Sequence, residues 1–493
     1  MELRHIFALS LALIMIISAF TACGGKGDTA AVTTAAAEET AVEPVETEIT
    51  SGLDPADFDG YKFHIYRHDQ VYDDFRAEDL NGEALNDAMY MRMKAVEDAC
   101  NVEIIRMNVS AGMRDGHTPL GSSVLAGSND YDLCEISSYS SCNALTAGYL
   151  YDLARIENLD LSREWWDQYA VEDCTFGKSI YLTTGDISIC NNQMTFCIFF
   201  NKKLAANYEL PNLYDMVKND EWTIDNFKAF AGKMANMDTD NDGNHVNDKD
   251  DAYGIYIWDD IMMGIINASG IRCCQINAGG ELELTLYSEK FVDAFNKFAD
   301  YAYDKSITCA YQRNGYDADW GHIAFKEDRA LFYLSHLGKA TSTRDMESDF
   351  GILPLPMYDE NQERYYNAIA SWGSAFYSIP LNAWETEEYE RAGYITQLLG
   401  FESMKTLTPA YYDITLKGKS SRDEESSEML DLLFNTRCYD FGWYFEIGGY
   451  NEGIMNLLRA YDTGVASMYE KSLNNAEAKI MKINLQLETM REA

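Results

Sequence analysis

Positive charge is scarce in this 493-residue chain: 39 Lys and Arg stand against 80 Asp and Glu, a formal net charge of −41. Nucleic acid, a polyanion, would be repelled, and no run of Lys or Arg offers a local exception. An anionic membrane surface is excluded on the same ground. The same balance disfavours a strongly anionic ligand, although a local pocket can defy the global field. No CxxC pair occurs among the 11 cysteines, so zinc-ribbon and thioredoxin chemistry have no support. HExxH and GxSxG are absent. Gly177-Lys178-Ser179 and Gly418-Lys419-Ser420 lack the upstream glycine of a phosphate-binding loop. There is no internal repeat. Beyond Phe20, no apolar run approaches the roughly 20 residues a helix needs to span a bilayer.

What is present begins with Cys23. Arg4 and His5 precede the almost continuously apolar Ile6–Phe20, and Phe20-Thr21-Ala22-Cys23 closes the segment before Gly24-Gly25. A charged start, an apolar middle of about 15 residues and small residues at the end read as an export signal, 1–22. The cysteine directly after them resembles the lipobox of bacterial lipoproteins, which implies acylation at Cys23. The chain is then expected on the extracytoplasmic face of the cell membrane, held by lipid alone. Residues 23–52 carry Ala, Thr, Glu and Val with little to bury, as a disordered tether would.

From Leu53 onward about 440 residues are rich in Tyr, Phe, Trp and Met, too many for one ordinary core and suited to two domains. The other ten cysteines are irregularly spaced, several in apolar runs, and read as buried free thiols rather than a disulfide framework. Tyr61–Tyr66 alternates large and polar residues as a strand does, and Asn86–Cys100 has helical spacing. Val102–Ile105 and Tyr131–Ile136 follow as strands, with a helix ending on Gly127 between them. This alternation favours a mostly parallel sheet covered by helices, an α/β fold. Further on, helices are expected over Ile224–Met237 with Thr223 as N-cap, and over Phe291–Tyr303, Tyr389–Ser403, Glu425–Phe434 and Ala476–Glu492.

Several stretches, in order, resemble the extracellular solute-binding proteins of ABC importers, family 1. They are Asn86-Asp87-Ala88 to Val96-Glu97, Ala126–Leu133, Leu150-Tyr151-Asp152-Leu153, Trp165-Trp166, Gly185-Asp186 and Phe200-Asn201-Lys202-Lys203. Trp222-Thr223, Phe325–Leu331, Phe350–Pro356 and Pro409-Ala410-Tyr411-Tyr412 continue the series. The resemblance implies a two-lobed, periplasmic-binding-protein-like fold of type 2, with discontinuous lobes joined by crossover strands around a ligand cleft. By that analogy the chain crosses near Gly185–Phe200, returns near Phe325–Leu334 and crosses finally near Ser374–Pro380. Lobe 1 is then 53–190 plus 332–378, and lobe 2 is 191–331 plus 379–493.

Two constellations could carry chemistry. Asp238-Thr239-Asp240-Asn241-Asp242-Gly243-Asn244 repeats carboxylates at alternate positions and turns on Gly, as calcium-binding loops do. Position 12 of such a loop is Lys249 here, so Asp248 or Asp250 would have to close the site. Asp238, Asp240, Asp242, Asn244, Asp248 and Asp250 are therefore expected to hold a structural Ca2+; the alternative is a solvated acidic turn. For a sugar, aromatic rings stack on C–H faces while Asp, Asn, Glu or Arg meet the hydroxyls. Open α/β sheets bind ligands at the carboxyl ends of their strands. That rule selects Arg67, His68 and Asp69 after the first strand, Ser137 and Tyr139 after Tyr131–Ile136, and Trp258 after Tyr253–Ile257. It adds Asp186 at the first crossing, Trp372 before the last, and Trp443 in the final segment. Trp165 and Trp166 read as packing residues.

The resemblance implies a non-enzymatic, monomeric capture protein that closes on a solute, an oligosaccharide, and delivers it to ABC permease subunits. The alternatives are a secreted glycan-active enzyme, which needs two flanking carboxylates, and a sensory or adhesive lipoprotein on the same scaffold.

Overall fold

The computed structural model describes residues 49–235, 250–416 and 424–492. The expected export signal, Cys23, the expected tether as far as residue 48 and residues 236–249 lie outside them. Among the described residues, two sheets are built from nine strands in chain order: Tyr61–His68 (β1), Val102–Val109 (β2), Leu133–Ser137 (β3), Phe196–Asn201 (β4), Tyr253–Ile257 (β5), Thr308–Ala310 (β6), Ala330–His336 (β7), Phe350–Leu353 (β8) and Ala375–Ser378 (β9). The first sheet has the order β9-β3-β1-β2, parallel except for β9; the second has the order β6-β5-β7-β4-β8, with β4 antiparallel to both neighbours.

The central strands of the second sheet are apolar on both faces, as strands covered on both sides must be. Phe196, Ile198 and Phe200 of β4 enter one core while Cys197 and Phe199 enter another, the period of two that pleating imposes. Phe199 stands among Phe325, Tyr333 and Phe350, with ring centroids 5.8–6.2 Å away. In the first sheet, Phe63 and Ile65 of β1 pack with Met93 and Val96 of the helix Ala84–Cys100 (α1) and with Ile395, Leu398 and Leu399 of the helix Thr386–Lys405. Thr223 caps its helix through a hydroxyl that accepts the Asn226 amide at 3.3 Å. Gly127 ends the helix His117–Ala126 in the left-handed conformation, where its amide reaches two helix carbonyls. The closing helix is longer than its apolar pattern suggests, Val465–Glu492. All ten cysteines from Cys100 onward are buried and unbridged, as expected of small hydrophobes.

The expected lobe boundaries need correction. β7 and β8 fall in 332–378 wholly or in part, yet both pair in the second sheet. β7 is a central strand with Leu331, Phe332, Tyr333 and Leu334 all buried, so it cannot serve as a crossover. The helix Thr386–Lys405, expected in the second lobe, presents Tyr389, Ile395, Leu398 and Leu399 to the first sheet instead. The chain therefore passes from the first sheet to the second between Ser137 and Phe196, and returns between Leu353 and Ala375.

These two crossings lie side by side. Thr183 bridges Tyr377 and Thr195 bridges Ile369, both antiparallel. Between the bridges the Asn191 amide works as a third rung: its Oδ1 accepts the Ala375 N–H at 2.9 Å and its Nδ2 donates to the Ala375 carbonyl at 2.9 Å. Gly185 is required here, because a Cβ would stand 2.2 Å from the Trp165 carbonyl oxygen. Trp165 and Trp166 are buried beneath this passage, in the packing role expected of them.

Candidate functional site

The segments that follow β3 of the first sheet and β5 and β6 of the second, with the end of β7, meet at one cavity of about 400 Å3. From the first sheet, β3 runs directly into the helix Ser138–Ala147, whose second residue, Tyr139, reaches the cavity. From the second sheet come Trp258 and Asp260 after β5, Tyr311 and Gln312 after β6, and Ser335 and His336 at the end of β7. Trp372, on the return crossing, completes the lining.

Neighbouring groups fix each aromatic. The Tyr139 hydroxyl is 2.8 Å from Ser371 Oγ, and the Arg114 guanidinium lies 4.5 Å from its ring centroid. The Trp258 ring stands 5.1 Å from that of Tyr311. Trp372 meets His336 edge to face at 5.5 Å and donates its indole N–H to Asp260 Oδ2 at 2.6 Å. It is still 37% exposed, whereas Trp165, Trp166, Trp222 and Trp443 are buried. An indole held by one hydrogen bond with its face open can stack on a ligand without first paying for ordering.

The charges are largely matched within the protein. Arg114 pairs with Glu446 at 2.7 Å, Lys339 with Asp319 at 2.7 Å, and Arg459 with both Asp259 and Glu452. Asp260 has no cation partner among the described residues; burial, with Asp259 beside it, pushes its carboxyl up to about 7. Burial pushes the His336 imidazole down to about 4, so it is neutral at pH 7 and its Nδ1 lies 3.0 Å from the Gln193 carbonyl. The result is a cavity of aromatic faces and hydrogen-bonding groups, suited to a polar ring compound.

Of the residues selected by sequence, Tyr139, Trp258 and Trp372 meet in this cavity and the others do not. Arg67 and His68 are buried. Arg67 Nη2 donates to the Val71 carbonyl at 2.7 Å, and His68 Nε2 lies 3.2 Å from the Ala111 carbonyl. Asp69 accepts from Ser110 Oγ at 2.6 Å, and Ser137 donates to the Met113 carbonyl at 2.6 Å. Residues 110–116 thus cover the end of β1 and bring Met113 and Arg114 to the cavity in place of these four. Asp186 accepts from Thr408 Oγ1 at 2.8 Å, with its carboxyl pushed up to about 6 by burial. Trp443 is buried and donates to Asn267 Oδ1 at 2.8 Å. Of the expected calcium ligands, Asp238, Asp240, Asp242, Asn244 and Asp248 lie outside the described residues, and Asp250 is exposed. Tyr311, Gln312 and His336 were reachable by the strand-end rule, but their strands were not recognised.

No family model and no curated protein matches the sequence. Solved structures do. The galacto-N-biose/lacto-N-biose I-binding protein of an ABC transporter from Bifidobacterium longum, in complex with lacto-N-biose, aligns with TM-score 0.55 at 12% identity over 87% of this chain and 98% of its own. UgpB from Mycobacterium tuberculosis, in complex with glycerophosphocholine, gives 0.55 at 15% over 87% and 99%. The ABC substrate-binding protein Lmo0181 from Listeria monocytogenes, in complex with cycloalternan, gives 0.54 at 13% over 85% and 99%. The chain has the two-lobed α/β fold of the ABC solute-binding proteins. Its cavity lies where the two sheets and the return crossing meet.

Proposed function

We propose that this chain is an extracytoplasmic solute-binding protein that captures a sugar, most specifically an oligosaccharide, between its lobes and presents it to an ABC permease. The observation that carries the reading is the convergence of Tyr139, Trp258, Tyr311 and Trp372 on one cavity at the strand ends. Its volume lies within the roughly 300–1,000 Å3 of small-molecule pockets. Structural neighbours hold lacto-N-biose and cycloalternan, while another holds glycerophosphocholine, so the fold alone does not choose the ligand. The charges favour a neutral one. Arg114, Lys339 and Arg459 already have carboxylate partners, leaving no spare cation among the described residues of the cavity for a phosphodiester.

The test is intrinsic tryptophan fluorescence and thermal shift of the chain from Leu53 onward, titrated with linear and branched oligosaccharides and with glycerophosphocholine. Saturable binding of one sugar series, with no new product by chromatography, is the expected outcome. Binding of glycerophosphocholine alone would overturn the sugar assignment, and sugar turnover would replace capture by catalysis.

The same reading places the protein as a monomer on the cell membrane through a lipid at Cys23. Among the described residues no helix is long and apolar enough to cross a membrane. Metabolic labelling with palmitate should mark the protein and fail for Cys23→Ser. A structural calcium ion in 238–250, supported by the alternating carboxylates, should raise Tm on addition of Ca2+ and lose that gain with chelator.

A further inference from the structure

A second cavity, of about 300 Å3, shares no lining residue with the first. It lies beside the paired short strands Asn367–Ala368 and Arg437–Cys438, with Tyr366 and Tyr439 flanking them. The feature that distinguishes it is unpaired positive charge. Arg272 and Arg364 both line it, and both guanidinium groups sit over the Tyr366 ring, at 5.3 and 4.6 Å from its centroid. Lys290 stands close by, 3.7 Å from where a Cβ on the lining residue Gly270 would be.

Among the described residues, Arg114, Lys339 and Arg459 at the first cavity each have a carboxylate within ion-pair distance; these two arginines do not. Neither arginine makes an ion pair among the described residues, and Arg272 Nη1 is buried with no hydrogen-bond partner. The acids whose charge Arg272 feels, Asp440 and Asp173, make no ion-pair contact with it among the described residues. Asp440 accepts from Asn267, Cys273, Cys274 and Gly442, and Asp173 accepts the Tyr439 amide at 2.8 Å. The Cys438 thiol beside Arg272 is pushed up to about 11 by burial, so it stays neutral and offers only a weak acceptor. A buried guanidinium nitrogen without an acceptor is costly, and two like charges against one ring repel; an oxyanion between them relieves both costs.

The lining also limits which anion fits. Glu172 and Asp173 face the same cavity, so a doubly charged phosphate would be opposed about twice as strongly as a single carboxylate. Their oxygens can accept from hydroxyl or ammonium donors on the remainder of the ligand. We propose that this cavity is a second binding site for a small polar monocarboxylate, its carboxylate taken by Arg272 and Arg364 and its donor groups by Asp173 and Glu172. The class includes uronic acids, hydroxy acids and amino acids, molecules of one ring or fewer.

The experiment is calorimetric titration of the chain from Leu53 onward with D-glucuronate, L-lactate and L-alanine, and with D-glucose as the uncharged match for glucuronate. At least one carboxylate should bind saturably and D-glucose should not. Affinity should fall at least tenfold in Arg272→Gln and in Arg364→Gln, and stay unchanged in the cleft variant Trp372→Ala. Arg364 is exposed, so its variant keeps the test valid if Arg272→Gln fails to fold. The absence of saturable carboxylate binding would overturn the proposal. So would binding that survives Arg364→Gln but is lost in Trp372→Ala, which would move the ligand to the cleft. The proposal does not depend on a sugar occupying the cleft.

Discussion

Arg67 and Glu135 sit near the ends of β1 and β3, the same edge of the first sheet from which Tyr139 reaches the ligand cavity, yet they face a different environment. With Asp74 and Arg92 they form a buried charged cluster beneath the first crossing. Arg67 Nε is 3.5 Å from Glu135 Oε2, and Asp74 Oδ2 accepts the Ser188 hydroxyl at 2.8 Å and the Ile189 amide at 2.5 Å. Arg92 donates to the carbonyls of Ile187 and Asp74, each at 2.8 Å, and to that of Phe75. The cavity next door is open and aromatic, and its arginines and lysine are matched by carboxylates. A strand end therefore marks where polar groups gather, and the covering segment decides whether they meet a ligand or hold the crossing.

If that division is right, the cluster should govern stability and the cavity should govern binding. The largest effect is expected for Arg92→Met, which takes from buried Asp74 the stronger-acting of its two cations and leaves several carbonyls without donors. Loss of one partner from such a site costs about 3–5 kcal/mol, to be read from the urea midpoint. A change below about 1 kcal/mol would show that the cluster is not what anchors the crossing. Asn191→Ala comes next. It removes the amide rung and orphans the buried N–H and carbonyl of Ala375, for about 1–3 kcal/mol. Trp372→Ala should do the reverse of both: stability within about 1 kcal/mol of the parent, but oligosaccharide affinity down about tenfold or more, or roughly 1.4 kcal/mol. A Trp372→Ala protein that binds sugar normally would place the ligand elsewhere.

How much of this could be read from sequence follows the same line. The alternation of strand and helix over Tyr61–Ile136 is local, and the first sheet formed as its pattern indicates. Trp258 and Tyr139 could be found because each directly follows a strand with a clear pattern. Tyr311 and Gln312 were missed because β6 is only three residues long, too short to leave a period. His336 was missed because the apolar run of β7 resembles a crossover as well as a central strand. The burial of Arg67 and His68 under residues 110–116, and the side-by-side crossings at 183–195 and 369–377, are choices between distant segments. A local pattern of polar and apolar residues carries no record of which remote segment will cover it.

The sharpest test follows a single carboxyl. Burial, reinforced by the negative charge of Asp74, pushes the Glu135 carboxyl from an ordinary value of 4.5 to about 8, more than Arg67 and Arg92 can pull it down. Below about 4.5 both folded and unfolded chains carry this proton, and the group adds no pH dependence. Between about 4.5 and about 8 the unfolded chain releases the proton while the folded chain keeps it, so this group lowers stability steadily as pH rises. Glu135→Gln keeps the shape and the neutral charge but cannot titrate. The variant should match the parent near pH 4.5 and gain on it progressively up to about pH 8, measured as the difference between their Tm–pH curves. The subtraction removes the titrating groups remote from the cluster, so parallel curves would mean that Glu135 is ionised in the fold. The cluster would then be two matched ion pairs, a static clamp on the crossing with no proton linkage of its own.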